Sequence, residues 1–201
     1  EGIKWSIEDA AGRPAVINMS LGGGRSLLMN EAVQDAVDAG ITTVVAAGNS
    51  SQNAYYASPA SEPLAITVGS STSTDTKSSF SNYGDVVDIF APGSNIKSLD
   101  QFGSERTWSG TSMAAPHVSG LLATVFQRFP SLSSSSVRNR ILNTATYSGL
   151  KTVGGTSASS LTDTQKKAIF GQGIVSYSAA TSVIGNLQYV TGDNYFNTNE
   201  K

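Results

Sequence analysis

The octapeptide from Gly110 to His117 combines residue types that could form a covalent catalytic site. Ser112 carries a hydroxyl, its neighbours are small, and an apolar helical stretch begins with it. The free N–H groups and positive end of a helix N-terminus stabilise negative charge, so an oxyanion formed beside Ser112 would be favoured. The alternative is an ordinary serine N-cap, which these eight residues taken alone favour.

Two further segments could complete such a site. Residues 46–50 follow a predicted buried strand, and ligands of open α/β sheets bind at the carboxyl ends of strands. The Asn49 amide is an uncharged donor that suits an oxyanion hole, although asparagine is also common in turns after strands. In residues 20–24 the chain has little side-chain bulk, so an extended peptide could pair with its backbone; a flexible loop is the alternative.

The hydrophobic pattern predicts an α/β framework around these segments. Residues 15–20 predict a buried strand, residues 27–39 a helix capped by Ser26, and residues 41–47 an interior parallel strand. Strand, helix and strand in this order form a right-handed βαβ unit. Further strands are predicted at residues 64–69, 86–90, 94–99 and 105–109, the last two as an edge-like pair.

The second half of the chain predicts helices and loops. Residues 112–129 are apolar nearly all round, which indicates a buried central helix with Pro116 in its first turn. An amphipathic helix is predicted at residues 137–146, after a run of serines that can cap it. The remaining predictions are a loop at 149–164, a turn at Gly171 into a last strand, a short helix at 178–183, and a mobile or loosely packed polar tail at 185–201.

Composition excludes several classes of protein. The 201 residues carry a net charge of −2, and 14% are charged, against roughly 25% in typical domains. Such a surface is a poor match for nucleic acid or an anionic membrane. The chain has no cysteine, which excludes a disulfide framework, a thiolate nucleophile and a zinc finger.

Six segments, in this order and spacing, resemble the subtilisin-like serine proteases (subtilases), and in detail the proteinase K group. They are Asn18–Gly24, Val45–Asn49, Tyr56–Pro63, Ser78–Gly84, Asp88–Gly93 and Gly110–His117. The resemblance is specific from around residue 14 to residue 146, and weaker at Gly171–Ala180. It implies a three-layer αβα fold of the α/β class with a mostly parallel sheet, here without its N-terminal part. Residues 1–184 are then the C-terminal portion of a catalytic domain.

The resemblance implies a role for each matching residue. Ser112 matches the nucleophile, and Asn49 with the Ser112 backbone N–H matches the oxyanion hole. The positions that match the substrate cleft are Ser20, Leu21 and Gly22 of one strand, and Ala46, Ala47 and Gly48 of the pocket for the residue before the scissile bond. The implied activity is endopeptidase hydrolysis of peptide bonds through an acyl-enzyme, with a broad preference for aliphatic or aromatic side chains.

A general base is missing from this pattern. Subtilases use Ser, His and Asp together, and the one histidine here is His117. Five helical residues rotate by about 140°, so His117 points away from Ser112 and is interpreted as a structural residue. We therefore expect an N-terminal segment outside this chain to supply the catalytic Asp and His. The 201 residues alone should fold poorly or aggregate, because their sheet would have bare edges.

The resemblance also implies a structural calcium ion and certain partners. The matching calcium ligands are the carbonyls of Pro63 and Ala65 and the carboxylate of Asp88, and oxygen ligands suit calcium; an aspartate at a strand end without a metal is the alternative. The implied partners are protein or peptide substrates, the N-terminal segment and an inhibitory propeptide. The implied location is outside the cell or in a vacuole-like or lysosome-like compartment.

Three origins of the chain remain open, together with one rival function. The chain could be the C-terminal portion of a longer protease, one piece of a nicked protease, or a degenerate relative. The intact Ser112 and Asn49 favour the first two. The rival function is a non-catalytic protein that grips extended peptides, which would keep the strand at Ser20–Gly22 without needing an activated Ser112.

Overall fold

A four-stranded parallel sheet is the centre of the computed structural model, which describes residues 1–182. The strands are β1 (Val16–Met19), β2 (Gly23–Gly24), β3 (Thr42–Ala46), β4 (Ala57–Ser58), β5 (Ile66–Ser71), β6 (Ile89–Pro92), β7 (Ile96–Leu99) and β8 (Glu105–Trp108). The helices are α1 (Gly2–Ala10), α2 (Leu27–Asp38), α3 (Thr111–Arg128), α4 (Ser134–Asn143), α5 (Asp163–Phe170) and α6 (Tyr177–Thr181), with 3₁₀ turns at Ala54–Tyr56 and Ala158–Ser160. The central sheet has the order β1-β3-β5-β6, while β2–β4 and β7–β8 are antiparallel pairs.

The predicted βαβ unit is confirmed as β1–α2–β3. The two strands are parallel and adjacent, with Val16 opposite Thr42. Ser26 caps α2 by accepting a hydrogen bond from the Met29 N–H at 3.3 Å. All five residues of β3 are buried, as expected for an interior parallel strand.

Helices cover both faces of the sheet, which confirms the three-layer α/β fold. On one face the strands pack against α3 and α4, and on the other they pack against α2. The buried residues of the first interface include Val44, Ile66, Val68, Ile89, Val118, Leu122, Val125, Val137 and Ile141. The second interface contains Met19, Val33, Val45 and Ala65. Burial on both faces explains the nearly continuous apolar runs of these strands.

Two strands are displaced from their predicted bounds. β5 begins two residues later than predicted, and β6 covers Ile89–Pro92 rather than residues 86–90. Val87 still belongs to a turn, because its N–H bonds the Gly84 carbonyl. Asp88 then exchanges hydrogen bonds with Thr67 of β5, the carboxylate accepting from the Thr67 N–H at 2.8 Å. The strand therefore starts after a side-chain contact that hydrophobic periodicity does not reveal.

The C-terminal third differs most from the prediction. Helix α4 starts at Ser134, earlier than predicted, because Ser133 caps it. Helix α5 was not predicted, nor was α1. The predicted last strand is wrong: Ile174 makes only isolated bridges, to Phe90 and Thr146. The short helix is confirmed as α6, whereas predicted helix residue 183 and the tail at 185–201 lie outside the described residues.

Helix α3 is buried along one face rather than all round. Its buried residues include Thr111, Ala115, Val118, Leu122 and Val125, whereas Pro116, His117, Gly120, Ala123 and Gln127 are exposed. The exposed stripe includes Pro116, Gly120 and Ala123, which do not interrupt the run with charge, so the sequence looked apolar nearly all round. Among residues 1–182, no helix combines the length and apolar character that crossing a membrane requires.

Candidate active site

Ser112 lies in the first turn of α3, close to the carboxyl ends of the parallel strands. Gly110 is the N-cap residue, and its carbonyl accepts the N–H groups of Met113 and Ala114. Within residues 1–182, the Ser112 N–H has no protein acceptor. This half-buried residue therefore offers a free backbone donor at the positive end of an 18-residue helix, as an oxyanion hole requires.

Ser20 and Ser112 exchange two hydrogen bonds. The Ser20 hydroxyl donates to the Ser112 carbonyl at 2.8 Å, and the Ser112 hydroxyl donates to the Ser20 carbonyl at 3.2 Å. Pro116 makes the first bond possible, because it has no N–H to take the Ser112 carbonyl into the helical ladder. The predicted nucleophile and the predicted cleft strand are thus directly joined.

Thr111 holds Asn49 in one orientation. The Asn49 Oδ1 accepts hydrogen bonds from the Thr111 N–H at 2.8 Å and the Thr111 hydroxyl at 2.9 Å. The Thr111 hydroxyl also accepts the Gly48 N–H at 3.1 Å. These two hydrogen bonds hold Oδ1 in place, so they also fix the orientation of Nδ2, the donor group of the amide. Thr111 is fully buried, and its role was missed because the sequence motif points to Ser112.

Asn82 holds the turn that carries Asn49. Its Nδ2 donates to the Ala47 carbonyl at 2.8 Å, and its Oδ1 accepts the N–H groups of Ser50 and Gln52. Its own N–H donates to the Gly48 carbonyl. Asn82 belongs to the Ser78–Gly84 segment that carried the family resemblance, but nothing in that segment alone assigns the contact.

In the predicted pocket wall, the alanine methyl groups are buried in the core, so the backbone is what remains to line a pocket. Ala46 and Ala47 are 5% and 0% exposed, and their side chains belong to different core clusters. Gly48 follows with a φ of +101°, and a Cβ there would come within 2.4 Å of the Asn82 amide. The predicted cleft segment, residues 20–22, forms the connection between β1 and β2 rather than a strand, and Leu21 in it is 53% exposed.

His117 lies away from the nucleophile, as predicted. Its Nδ1–H donates to the Met113 carbonyl of the preceding helical turn at 2.8 Å. The imidazole is exposed on α3, so it stabilises its own helix and does not contact the Ser112 hydroxyl. Among residues 1–182, no histidine side chain contacts the Ser112 hydroxyl, so the predicted nucleophile and oxyanion donors lie here without a general base beside them.

The three predicted calcium ligands lie together, but an arginine side chain fills the space between them. The Arg138 Nη2 lies 3.0 Å from the Asp88 carboxylate, 3.3 Å from the Ala65 carbonyl and 3.4 Å from the Pro63 carbonyl. A calcium ion would lie 2.3–2.6 Å from its oxygens, so it does not fit while the guanidinium is there. Elsewhere in residues 1–182, no three His, Cys, Asp or Glu side chains are grouped to hold a metal.

Asp88 lies in a poorly solvated position although 22% of its side chain is exposed. Desolvation raises its pKa to about 6, while the Arg138 charge and the Thr67 N–H act in the opposite direction. The carboxylate thus depends on its cationic partner to remain charged near neutral pH.

Comparison with known proteins identifies the family to which this geometry corresponds. Residues 1–173 match the subtilase family. Three similar proteins are alkaline serine exoprotease A of Vibrio alginolyticus, extracellular serine proteinase of Thermus sp. (strain Rt41A) and subtilisin-like protease 1 of Trichophyton rubrum. The identities are 51% over 144 residues, 48% over 155 and 49% over 151.

The matched region is part of each longer relative. The alignments cover 72%, 76% and 73% of this chain but 27%, 38% and 30% of those three proteins. The crystal structure of a cold adapted subtilisin-like serine proteinase superimposes with a TM-score of 0.73 at 44% identity, covering 78% of this chain and 57% of that one. The chain therefore spans less than two fifths of the three similar proteins and just over half of the solved structure.

Proposed function

The chain belongs to the subtilase family, as its motifs predicted, and we propose that it is the nucleophile-bearing part of a serine endopeptidase. The observation that carries this proposal is the free Ser112 N–H beside an Asn49 amide whose oxygen is already held by Thr111. Two donors that are fixed before substrate arrives stabilise developing negative charge without reorganisation.

The proposed reaction passes through an acyl-enzyme. The Ser112 Oγ attacks the substrate carbonyl carbon, and its proton passes to the base as the carbonyl oxygen becomes an oxyanion. The Asn49 Nδ2 and the Ser112 N–H stabilise that oxyanion. Collapse breaks the peptide C–N bond, the base returns the proton to the leaving amine, and water then releases the acyl group by the same steps.

We propose that the base and its aspartate come from a segment outside these 201 residues. Three observations support this. His117 is engaged with its own helix, and the Ser112 hydroxyl donates to a backbone carbonyl rather than to a base. β1 is also an edge of the four-stranded sheet, so it can pair with a further strand.

The proposed substrates are proteins or peptides bound in extended form. A substrate strand would lie along the backbone of Ser20–Gly22, beside the exposed Leu21 side chain. The residue before the scissile bond would lie against the backbone at Ala46–Gly48, which suits aliphatic or aromatic side chains. An inhibitory propeptide would occupy the same cleft. Export from the cell is proposed because a relative is named as an extracellular proteinase.

Labelling with a fluorophosphonate probe tests the proposal, because the probe reacts only with an activated serine. The complete protein should be labelled, Ser112→Ala should not, and the 201-residue chain alone should not. His117→Gln is the matched test of the missing base. It should be labelled at nearly the wild-type rate, because His117 is not the proposed base. Loss of a true general base would slow the reaction roughly 10²–10⁴-fold.

Two results would overturn the proposal. A folded complete protein that is not labelled, yet binds extended peptides, would be a peptide-binding relative instead. A His117→Gln variant that folds and loses labelling would show that the base lies within this chain.

A further inference from the structure

The strongest unexplained feature is the convergence of three oxygens on one nitrogen of Arg138. A guanidinium Nη carries two N–H bonds, whereas three acceptors lie 3.0–3.4 Å from Nη2. The two carbonyls come from the loop before β5, the carboxylate from the residue before β6, and the arginine from α4. Nη2 therefore has more acceptor oxygens around it than N–H groups to donate. This arrangement is expected around a cation that is bound mainly by its charge.

Electrostatics also opposes the binding of a second cation in this cluster. The carboxylate of Asp88 supplies one negative charge, and the guanidinium balances it. Adding a divalent ion would bring three positive charges against one carboxylate, in a position from which water is largely excluded.

The guanidinium is held by the packing of its helix. Val137 and Ile141, on either side of Arg138, are fully buried against the sheet. The Arg138 Nε is buried without a partner among residues 1–182, so the polar contacts of this side chain are those of Nη2. The second Asp88 oxygen accepts the Thr67 N–H, which fixes the carboxylate from the β5 side.

We propose that the Arg138 guanidinium is the permanent cation of this site. It ties α4 to the loops before β5 and β6 as a divalent cation would, so this site needs no metal. The same three oxygens form a calcium site only when the side chain is removed. The inference concerns stability and does not depend on the reactivity of Ser112.

Thermal unfolding of the complete protein, with EDTA or with millimolar calcium, tests this proposal. Calcium should change the Tm of wild type and of Asp88→Asn by the same amount. If Arg138 already fills this site, any calcium that binds does so elsewhere and does not need the Asp88 carboxylate. Arg138→Ser should have a lower Tm in EDTA and recover about 5 °C or more with calcium. Arg138→Ser combined with Asp88→Asn should lose that recovery.

Arg106→Ser is the matched control. Arg106 also pairs with an aspartate, Asp100, at 3.1 Å, but 60% of its side chain is exposed. Removing it should leave the calcium response at the wild-type level.

Two outcomes would refute the proposal. The first is a wild-type calcium response that Asp88→Asn reduces, and the second is a folded Arg138→Ser whose Tm responds to calcium no more than that of wild type. If Arg138→Ser does not fold, ¹⁵N NMR of the wild-type guanidinium decides. The Arg138 Nη2–H signals should stay protected from solvent exchange in millimolar calcium, and their displacement by calcium would refute the proposal.

Discussion

The Ser20 hydroxyl donates to the Ser112 carbonyl at 2.8 Å, in a position that an intrahelical N–H would occupy if residue 116 were not proline. The Ser112 hydroxyl returns a bond of 3.2 Å to the Ser20 carbonyl. The gap that Pro116 leaves in the helical ladder is therefore used to join Ser112, the proposed nucleophile, to the segment at Ser20–Gly22. This contact fixes the Ser112 hydroxyl relative to the segment along which we propose that substrate binds.

Ser20→Ala should lower kcat of the complete protein several-fold with little change in KM for short peptides. The variant keeps the backbone that would pair with substrate but loses the hydroxyl that positions Ser112. The free energy of unfolding should fall by about 1 kcal/mol, the net value of one hydrogen bond. Steady-state kinetics and denaturant unfolding measure the two effects separately.

Thr67→Val is the control for this variant. The Thr67 hydroxyl also makes one buried hydrogen bond to a backbone carbonyl, that of Ala60 at 2.8 Å, but neither residue contacts Ser20 or Ser112 through a hydrogen bond. Its removal should reduce stability by a similar amount and leave kcat unchanged. Equal loss of kcat in both variants would contradict a positioning role for Ser20.

Thr111→Val should lower kcat on the order of tenfold. Without the hydroxyl, Asn49 is held less firmly, and a tenfold loss corresponds to about 1.4 kcal/mol of transition-state stabilisation. Valine has nearly the same shape, so the packing of this fully buried residue is kept. The variant leaves the Gly48 N–H without its partner and gives Asn49 one bond fewer. Comparison of kcat with KM distinguishes this loss from weaker substrate binding.

Thr111→Ser restores the hydroxyl and should recover most of the activity. The conservative variant lacks only a buried methyl group, so any residual loss of stability should be small. A Thr111→Ser variant as slow as Thr111→Val would mean that packing, rather than the hydrogen bonds to Asn49, sets the rate.

Asn82→Ala should destabilise the protein by about 2–4 kcal/mol and lower kcat, because three side-chain hydrogen bonds to the turn at residues 47–52 are lost. The Ser50 and Gln52 N–H groups then need other acceptors, and the turn that carries Asn49 loosens. Unfolding by denaturant and steady-state kinetics on the same preparation measure both effects.

Asn30→Ala is the matched control, since Asn30 is also a buried asparagine but lies on α2, where its Nδ2 bonds the Ser61 hydroxyl at 3.0 Å. It should lose stability without losing kcat. If both asparagine variants reduced kcat in proportion to stability, Asn82 would have no specific role in positioning the turn.

The sequence predicted the elements whose signals are local. The apolar period and the Ser26 cap define α2, and five β-branched or apolar residues in a row define β3. Helix α5 was missed because its apolar content is low, although Thr162 and Gln165 form a capping box that the sequence displays. A search for capping patterns in the loop at residues 149–164 would have found it.

The site was predicted as a set of residues but not as a network. Motifs assigned roles to Ser112, Asn49 and Ser20, whereas Thr111 and Asn82 make their contacts with residues 30 to 63 positions away in the chain. No periodicity encodes such distances. Arg138 is a further case, since it lies 50 positions after Asp88 and 75 after Pro63, and it fills a cluster that its partners alone predicted to be a metal site.

The Asp100 carboxylate organises the turn between β7 and β8, and its titration gives a further prediction. It accepts the Ser104 and Phe102 N–H groups at 2.9 Å and the Arg106 Nε–H at 3.1 Å. The Ser104 hydrogen bond, followed by those of Phe102 and Arg106, lowers the pKa of Asp100 below its usual value of 3.8. A lowered pKa stabilises the folded hairpin above the unfolded pKa, and this stabilisation is lost as pH falls through the folded pKa.

NMR titration of the Asp100 carboxyl carbon should therefore give a midpoint below 3.8, with the amide signals of Phe102 and Ser104 moving at the same pH. Asp100→Asn should make those amide signals insensitive to pH in this range. Arg106→Ser should raise the midpoint only slightly, because backbone N–H groups are the larger causes and the guanidinium is mostly exposed. A midpoint restored to its usual value in Arg106→Ser would mean that the ion pair, rather than the turn, holds the carboxylate.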